Sequence, residues 1–405
     1  MSALRHGWLT GLVIGLLWLF ILASAFAVAV AFGAGAEIRP ALLFIAVLGV
    51  VTGLGCVMLG DRPLVVQIAT TVLFGLLAAV GLGPIISTGD TSSALLIATN
   101  AVLGFAFGWS MTRFLGAMPA GALNRHIFEA AVIRFLTGTG YILFTALVAI
   151  PFYVMVMTSL KNQQQLVQNP LDFSLDLSKG LDLFSSYVEL FSQFNFGSYL
   201  WTSFYVSCLT VAITLLFSVP GAYAVARLRF AGRTAFSRSI LLIYMVPMIV
   251  LALPIYIVFS MTGLRNTIFG IVIIYPVTTI PVALYMLQGY FRGLPAEVEE
   301  AGLMDGLTRL KVIWKITLPL SLPALASVSL YVFMIAWNEF LLAFMLLDDP
   351  SKFTLTRGVA MLNSSEIPRQ HLMAGAVIAT VPIMVLFLGL EKFMTKGLTA
   401  GSVKG

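Results

Sequence analysis

Long, uninterrupted apolar runs separated by short polar breaks constrain this chain more than any other feature. A helix needs about 20 apolar residues to cross the hydrocarbon core of a bilayer, and about ten runs approach that length. They cover residues 8–32, 41–59, 64–86, 93–115, 135–160, 200–226, 239–261, 268–290, 322–347 and 373–394. Membrane β-strands instead alternate apolar and polar residues over about 10 positions. The sequence therefore predicts an all-α, polytopic membrane protein.

The composition agrees with a membrane protein and argues against a nucleic-acid-binding one. Charged residues make up 10% of the chain and hydrophobic residues 60%, whereas soluble domains carry roughly 25% charged residues. The formal net charge is +6, but basic residues at the cytoplasmic edges of a membrane protein explain such an excess. Outside the apolar runs, the sequence has no basic stretch interleaved with aromatic residues, so no nucleic-acid partner is predicted.

The sequence also lacks the patterns of a metal site or a catalytic site. Cys56 and Cys208 lie inside apolar runs, where we expect them to pack as small hydrophobic residues, and neither has the spacing of a zinc ligand. His126 has no partner at metal-binding spacing, and the chain has only 3 histidines. We therefore expect no metal site and no enzymatic activity in the chain itself.

Basic residues predict the orientation of the chain in the membrane. All charged residues in the segment 227–238 are arginines, which is typical of a cytoplasmic loop. If this loop is inside, both termini and residues 295–319 are also inside, while residues 161–198 and 348–371 face the exterior. We therefore expect a multi-pass protein of the plasma (inner) membrane with both termini in the cytoplasm.

The stretch Pro295–Pro323, PAEVEEAGLMDGLTRLKVIWKITLPLSLP, is a polar interruption between apolar runs. Pro295 suits the first turn of a helix, where its missing N–H costs nothing. Acidic residues follow near the positive end of the helix dipole. They are Glu297, Glu299 and Glu300. Gly306 is placed to end this helix, because glycine adopts the left-handed conformation after a helix at little cost.

A second short helix, capped by Thr308, is predicted to run through Leu318, and Pro319 is predicted to stop it. Along it, Leu310, Ile313 and Trp314 recur at i, i+3 and i+4, the spacing of one helix face. Its basic residues remain free for solvent or lipid headgroups. They are Arg309, Lys311 and Lys315. The two helices together are expected to brace against the membrane surface.

Parts of this stretch resemble the EAA motif of ABC-importer permeases, in which E-A-A and three residues precede a glycine and I-x-L-P follows. The residues that carry the resemblance, or lie within it, are Glu300, Ala301, Gly302, Asp305, Gly306, Ile316, Leu318 and Pro319. Gly302 stands where the motif has its second alanine. The resemblance implies that residues 295–319, here called the coupling loop, bind in a groove of a separate ATPase subunit.

Further segments extend the resemblance over residues 135–405. Residues 223–227 are similar to the end of the family's second helix. Residues 337–340 and the tail at 395–405 are similar to the carbohydrate-importer branch related to the maltose permease MalG. The resemblance implies a six-helix permease core in residues 135–405. About four extra transmembrane helices in residues 1–134 precede this core, and the resemblance does not explain them.

The resemblance implies one of two permease subunits of an ATP-driven sugar importer. Its implied partners are a second permease subunit, two ABC ATPase subunits and an extracytoplasmic sugar-binding protein, together with membrane lipid. The sequence contains no Gly-x4-Gly-Lys-Ser/Thr phosphate loop, so ATP is expected on the partner ATPase and no cofactor on this chain. The expected substrate is an oligosaccharide or an α-glucoside such as a maltose-type sugar.

Glu339 is an acid within an apolar run. An acid at the centre of a span costs about 2.5–3.5 kcal/mol, so it is expected to face the bundle interior or a water-filled cavity. With Asn338, it is a candidate for lining the sugar path. The alternative is that Glu339 is an interfacial residue, because it lies only about two turns from Asp348.

An ion-coupled secondary transporter without an ATPase partner is the alternative function. Such a protein needs intramembrane acids, histidines or arginines as a relay, and usually internal repeats. Glu339 alone supports this alternative poorly.

Overall fold

The computed structural model describes residues 5–60, 62–89, 91–116, 118–169, 172–364 and 366–399. Nearly all regular structure in these ranges is helical, which confirms the predicted all-α membrane fold. Residues 400–405 of the predicted tail lie outside the described residues. The chain divides into two compact units, Met1–Leu183 and Phe184–Gly405.

The first unit consists of helices and one short β-ribbon. In chain order its elements are α1 (Gly7–Ala34), β1 (Ile38–Pro40), α2 (Leu42–Met58), α3 (Pro63–Ala79), β2 (Ile85–Ser87), α4 (Ser93–Leu115), α5 (Arg125–Ser159) and α6 (Gln163–Gln168). The strands β1 and β2 pair antiparallel. The fully buried side chain of Asn100 holds β2 in place, because it bonds both the N–H and the carbonyl oxygen of Ile85 at 3.0 Å. The predicted apolar run 64–86 is thus not one helix. Its α-helix ends at Ala79, and β2 begins at Ile85.

Glycines bring the backbones of α1 and α2 into direct contact. A Cβ atom added at Gly15 would lie 2.5 Å from the carbonyl oxygen of Gly49 and 2.6 Å from the Cα of Gly53. Small residues at this spacing allow close helix packing inside a membrane, where burial of apolar surface provides no driving force between helices. The packing of these two helices therefore depends on the absence of side chains at these positions.

We expect Gly15→Leu to push α1 away from α2 and to destabilise the first unit by about 2 kcal/mol, because overpacking a tight interface forces backbone shifts. Gly33→Leu in the same helix is the matched control, since a Cβ added at Gly33 meets nothing within 4 Å. Thermal unfolding of the two purified variants measures the difference. Equal melting temperatures would contradict the close packing of the two helices.

A buried lysine anchors the segment that follows α5. The Nζ atom of Lys161 lies 3.1 Å from Oδ2 of Asp172, and the lysine side chain is only 7% exposed. Ser174 donates to Asp172 Oδ1 from its backbone N–H at 2.9 Å and from its hydroxyl at 2.6 Å. Burial by itself raises the pKa of Asp172, but the hydrogen bonds from Ser174 and Lys161 outweigh it and hold the pKa below its usual value. The carboxylate therefore stays charged and paired at neutral pH.

The second unit is helical. In chain order its elements are α7 (Ser185–Gln193), α8 (Phe196–Arg227), α9 (Arg233–Tyr244), α10 (Met248–Met261), α11 (Ile268–Gly293), α12 (Ala296–Met304), α13 (Arg309–Val312), α14 (Leu318–Leu320), α15 (Leu322–Asn338), α16 (Leu341–Leu346), α17 (Leu355–Met361) and α18 (Arg369–Thr399). Helices α8, α11 and α15 pack against one another. The hydroxyl oxygens of Thr214 on α8 and Thr279 on α11 lie 2.7 Å apart, fully buried. Such hydrogen bonds between helices help to hold membrane bundles together.

Among the described residues, 6 helices are long and apolar enough to cross a membrane, namely α1, α4, α5, α8, α11 and α18. The bent pair Arg309–Leu320 and Leu322–Asn338 adds a seventh span if it is counted as one. Helices α2, α3 and α10 are apolar but shorter. The predicted run 239–261 is broken, because α9 ends at Tyr244 and α10 begins after Pro247, whose ring and missing N–H interrupt a helix.

Candidate functional site

The first half of the coupling loop is the short helix α12. Pro295 lies at its N-cap, one position before the helix begins. At the other end, Gly306 has a φ of +83°, as its sequence position predicts. The N–H of Gly306 donates to the carbonyl oxygen of Leu303 at 3.0 Å, and the N–H of Leu307 donates to that of Gly302 at 3.1 Å. This left-handed turn reverses the chain and directs it into the second half of the loop.

The second half of the loop continues further than the sequence predicts. It begins with α13 after Thr308, passes through a π-helical turn at Ile313–Thr317, and continues as α14 at Leu318–Leu320. The prediction that Pro319 ends this helix is wrong. A π turn rearranges the hydrogen bonds of the helix locally, so the donor that proline lacks is accommodated. The break comes at Ser321, where the helix direction changes by 77°.

The two ends of the EAA-like motif meet in the structure. Gly302 is buried, and a Cβ atom added to it would lie 2.5 Å from Cδ1 of Ile316. The same Cβ would lie 3.5 Å from a side-chain carbon of Val312, which is 1% exposed. Gly302 therefore sets how closely the two halves of the loop pack, and it gives the Ile316 side chain its space.

Glu299, which sequence reasoning placed only in the helix dipole, is buried beneath the loop at 7% exposure. Its Oε1 atom lies 3.5 Å from Nε of Arg227 and accepts a hydrogen bond from the Thr317 hydroxyl at 3.1 Å. Its Oε2 atom accepts a hydrogen bond from the Tyr223 hydroxyl at 3.2 Å. One carboxylate thus joins the first half of the loop to its second half and to the end of α8. Its spacing of three residues from Gly302 could have indicated a shared buried face.

Arg227 is correspondingly less exposed than its place in an arginine-rich loop predicts. Its side chain is 14% exposed, and its Nη2 atom donates to the carbonyl oxygen of Leu294 at 2.6 Å. The arginine therefore holds both the residue before the loop and the acid within it. A buried pair of this kind stays intact only if each charge keeps its partner.

The surface of the loop combines acidic and apolar side chains. Glu300, Ala301 and Asp305 are exposed. Three large apolar side chains are also exposed, and we call them the apolar patch: Met304 at 88%, Leu310 at 71% and Trp314 at 71%. The predicted apolar face of the second helix is therefore divided, because Ile313 is half-buried whereas Leu310 and Trp314 are open. An apolar patch flanked by charged residues is typical of a protein-binding surface.

The predicted path residues Asn338 and Glu339 lie where α15 ends. The carboxylate of Glu339 accepts hydrogen bonds from the N–H groups of Leu342 at 2.8 Å and Ala343 at 3.1 Å. It therefore caps the N-terminus of α16, which explains why the apolar run 322–347 is divided here. Asn338 is exposed, and its amide donates to the carbonyl oxygen of Met334 at 2.9 Å.

The sequence profile of the binding-protein-dependent transport system inner membrane component family matches residues 218–399. The chain is 35% identical to the Escherichia coli inner membrane ABC transporter permease protein YcjP over 274 residues, which are 66% of this chain and 95% of that protein. It is 33% identical to the Thermococcus litoralis trehalose/maltose transport system permease protein MalG over 281 residues, 68% of this chain and 99% of that protein.

The fold resembles a solved bacterial ABC transporter that imports the acidic polysaccharide alginate. The TM-score is 0.56 at 23% sequence identity, covering 65% of this chain and 97% of the other. At this level of identity, the similarity concerns the fold alone.

Proposed function

Because the chain belongs to the family of binding-protein-dependent transport system inner membrane components, as an ABC transporter permease, we propose that it forms half of the translocation pathway of an ATP-driven importer. Its coupling loop would receive the movement of a separate ATPase. The observation that carries this proposal is the coupling loop itself, in which an exposed acidic and apolar surface is fixed from beneath by the buried Glu299. Force applied to such a loop passes directly into α8 and α15.

The residues proposed to contact the ATPase differ in their contributions. The apolar patch would provide the affinity, because a few aromatic anchors such as tryptophan carry much of the binding energy of an interface, and methionine is also enriched there. Glu300 and Asp305 would orient the ATPase through polar contacts. Gly302, Gly306 and Ile316 would act indirectly by setting the shape of the loop. Leu318 and Pro319 would transmit movement into the 77° bend that precedes α15.

The remaining partners follow from the same proposal. ATP would be bound and hydrolysed by two ABC ATPase subunits, with no cofactor on this chain. A second permease subunit would complete the pathway, and an extracytoplasmic binding protein would deliver the substrate. The chain would lie in the inner membrane with both termini in the cytoplasm. We propose residues 135–405 as the permease region, since its 271 residues (405 − 134) are close to the 274 residues aligned with the E. coli protein.

The proposed substrate is a sugar, most specifically an oligosaccharide or α-glucoside. Relatives named for transport of trehalose/maltose, trehalose and arabinooligosaccharides support this class. Asn338 and Glu339 are proposed to line the path, with the exposed amide of Asn338 nearer to the substrate. Binding of a panel of maltose-type and other sugars to the binding protein of the same transport system tests the substrate, and binding of amino acids or metal ions instead would contradict it.

The ion-coupled secondary transporter remains the weaker alternative. It would require Glu339 to exchange protons or ions, yet both carboxylate oxygens bond the backbone of α16. An ATPase-free uptake assay separates the two functions, because a secondary transporter would move substrate down an ion gradient in vesicles that lack the ATPase.

We expect Trp314→Ala to weaken ATPase binding about 30-fold, since an exposed tryptophan at the centre of an interface contributes about 2 kcal/mol or more. Trp201→Ala is the matched control, because Trp201 is 65% exposed in the same unit but lies near the start of α8. Titration of the purified permease with its ATPase measures both affinities. If both variants bind the ATPase like the unchanged protein, Trp314 is not part of the docking surface.

A further inference from the structure

A groove of about 590 Å³ runs between α1, α4 and α5 in the first unit. Its volume is within the range of pockets that bind small molecules. Most of its wall is hydrocarbon and aromatic carbon. Its lining includes Trp18, Ala106, Trp109, Arg113, Phe114 and Arg134.

The inner wall of the groove is formed by two buried aromatic side chains. Trp18 and Phe114 are 4% and 8% exposed, and their rings pack edge to face at 4.8 Å between centroids. The indole N–H of Trp18 donates to the Ser110 hydroxyl at 2.5 Å. Because this donor has its partner inside the protein, the part of the wall formed by Trp18 and Phe114 offers a ligand apolar contact. Such a wall suits an alkyl chain.

Two arginines lie together at one end of the groove. The guanidinium carbon of Arg113 lies 4.0 Å from the centroid of the Trp109 ring, and Nη1 of Arg134 donates to the carbonyl oxygen of Arg113 at 3.2 Å. Neither arginine forms an ion pair with any residue that the structure describes. Each guanidinium carries five N–H donors in a planar fork that matches phosphate, so most donors of this pair remain available.

The acid nearest in sequence does not neutralise this pair. Oε1 of Glu129 on α5 lies 2.6 Å from Nε of Arg125, with which it forms an ion pair. The residues that line the groove, all of them described, include no carboxylate. The groove therefore combines an apolar channel with two arginines at one end, and no carboxylate among the described residues pairs with either of them.

We propose that this groove binds an anionic phospholipid of the surrounding membrane. The headgroup phosphate would bond Arg113 and Arg134, and one acyl chain would lie along Trp18 and Phe114. Helices that cross a membrane are surrounded by lipid, and paired basic side chains at their ends select anionic headgroups. The site lies wholly within the first unit and does not depend on the proposed transport function.

Native mass spectrometry of the full-length chain in detergent tests this proposal. The protein is incubated with phosphatidylglycerol or with phosphatidylcholine of the same acyl chains. We expect retention of phosphatidylglycerol, and at least a tenfold weaker retention in the variant Arg113→Gln/Arg134→Gln, since each charge-assisted hydrogen bond is worth about tenfold or more in affinity. Arg39→Gln, which removes an exposed arginine of the same unit on β1, is the control and should retain the lipid.

The apolar half of the site has its own test. Ala106→Phe fills the groove and should weaken retention of phosphatidylglycerol, whereas Ala69→Phe on the exposed side of α3 should not. Equal retention of the two lipids, or retention unchanged by Arg113→Gln/Arg134→Gln, would overturn the proposal. Glycerol 3-phosphate, which has no acyl chain, should not displace the lipid. Displacement at equal concentration would mean that the site binds a soluble anion instead.

Discussion

Replacing Glu299 by glutamine is expected to loosen the coupling loop and to abolish transport. The substitution leaves Arg227 buried without its counter-charge, and breaking a buried ion pair in this way costs about 3 kcal/mol. If this cost falls on local opening of the loop, the open population rises about a hundredfold. Trypsin measures that population, because the exposed residues Arg309 and Lys311 are its cleavage sites. We therefore expect much faster cleavage there and loss of the co-purifying ATPase.

Glu297→Gln is the matched control for this experiment. It removes the same charge from the same helix, but Glu297 is exposed, and none of the residues that the structure describes forms an ion pair with it. Its cleavage rate should stay within about twofold of the unchanged protein, as for most surface substitutions. Adding Arg227→Met to Glu299→Gln in a double-mutant cycle should recover part of the lost stability of the loop. The second substitution removes the charge that the first leaves without its partner. Equal cleavage of Glu299→Gln and Glu297→Gln would contradict the structural role of Glu299.

Replacing Gly306 by valine is expected to disrupt the turn between the two halves of the loop. At a φ of +83°, a β-branched side chain clashes with its own backbone, at a cost of about 2 kcal/mol or more. Among the described residues, no neighbouring atom lies within 4 Å of a Cβ placed at this position, so the expected strain is that of the backbone. We expect membrane insertion to survive while ATPase attachment and substrate uptake are lost, as measured by co-purification and vesicle transport.

Gly306→Asn distinguishes backbone strain from obstruction of ATPase docking by an added side chain. Asparagine tolerates the left-handed conformation, so this variant should keep most of the ATPase attachment despite its added side chain. Gly293→Val is a second control, because a Cβ there also meets nothing within 4 Å but the residue lies in a helix. If valine and asparagine at 306 behave alike, the added side chain itself obstructs docking, and the strain argument is wrong.

Several features could be predicted from the sequence, because they depend on the chemistry of neighbouring residues alone. The length of the apolar runs predicted membrane helices, because spanning a bilayer sets a minimum length that composition alone reveals. Gly306 could be placed at a helix end because the left-handed conformation favours glycine wherever it occurs. The absence of a phosphate loop and the spacing of the EAA-like residues predicted an ATPase-coupled permease, and the family match supports the permease part of that prediction.

Other features depend on partners that are distant in the chain, and only the tertiary structure decided them. Glu299 and Glu300 are adjacent and chemically identical, yet one is buried against Tyr223 and Arg227 while the other is exposed. The helix continues one residue past Pro319, directly after a π turn at Ile313–Thr317 that the sequence pattern does not indicate. Sequence periodicity indicates which side of a helix is apolar. It does not indicate the partners of Glu299 on α8, which lie more than 70 residues earlier in the chain. For that reason the sequence determined where the coupling loop lies, and the fold determined which acid holds it.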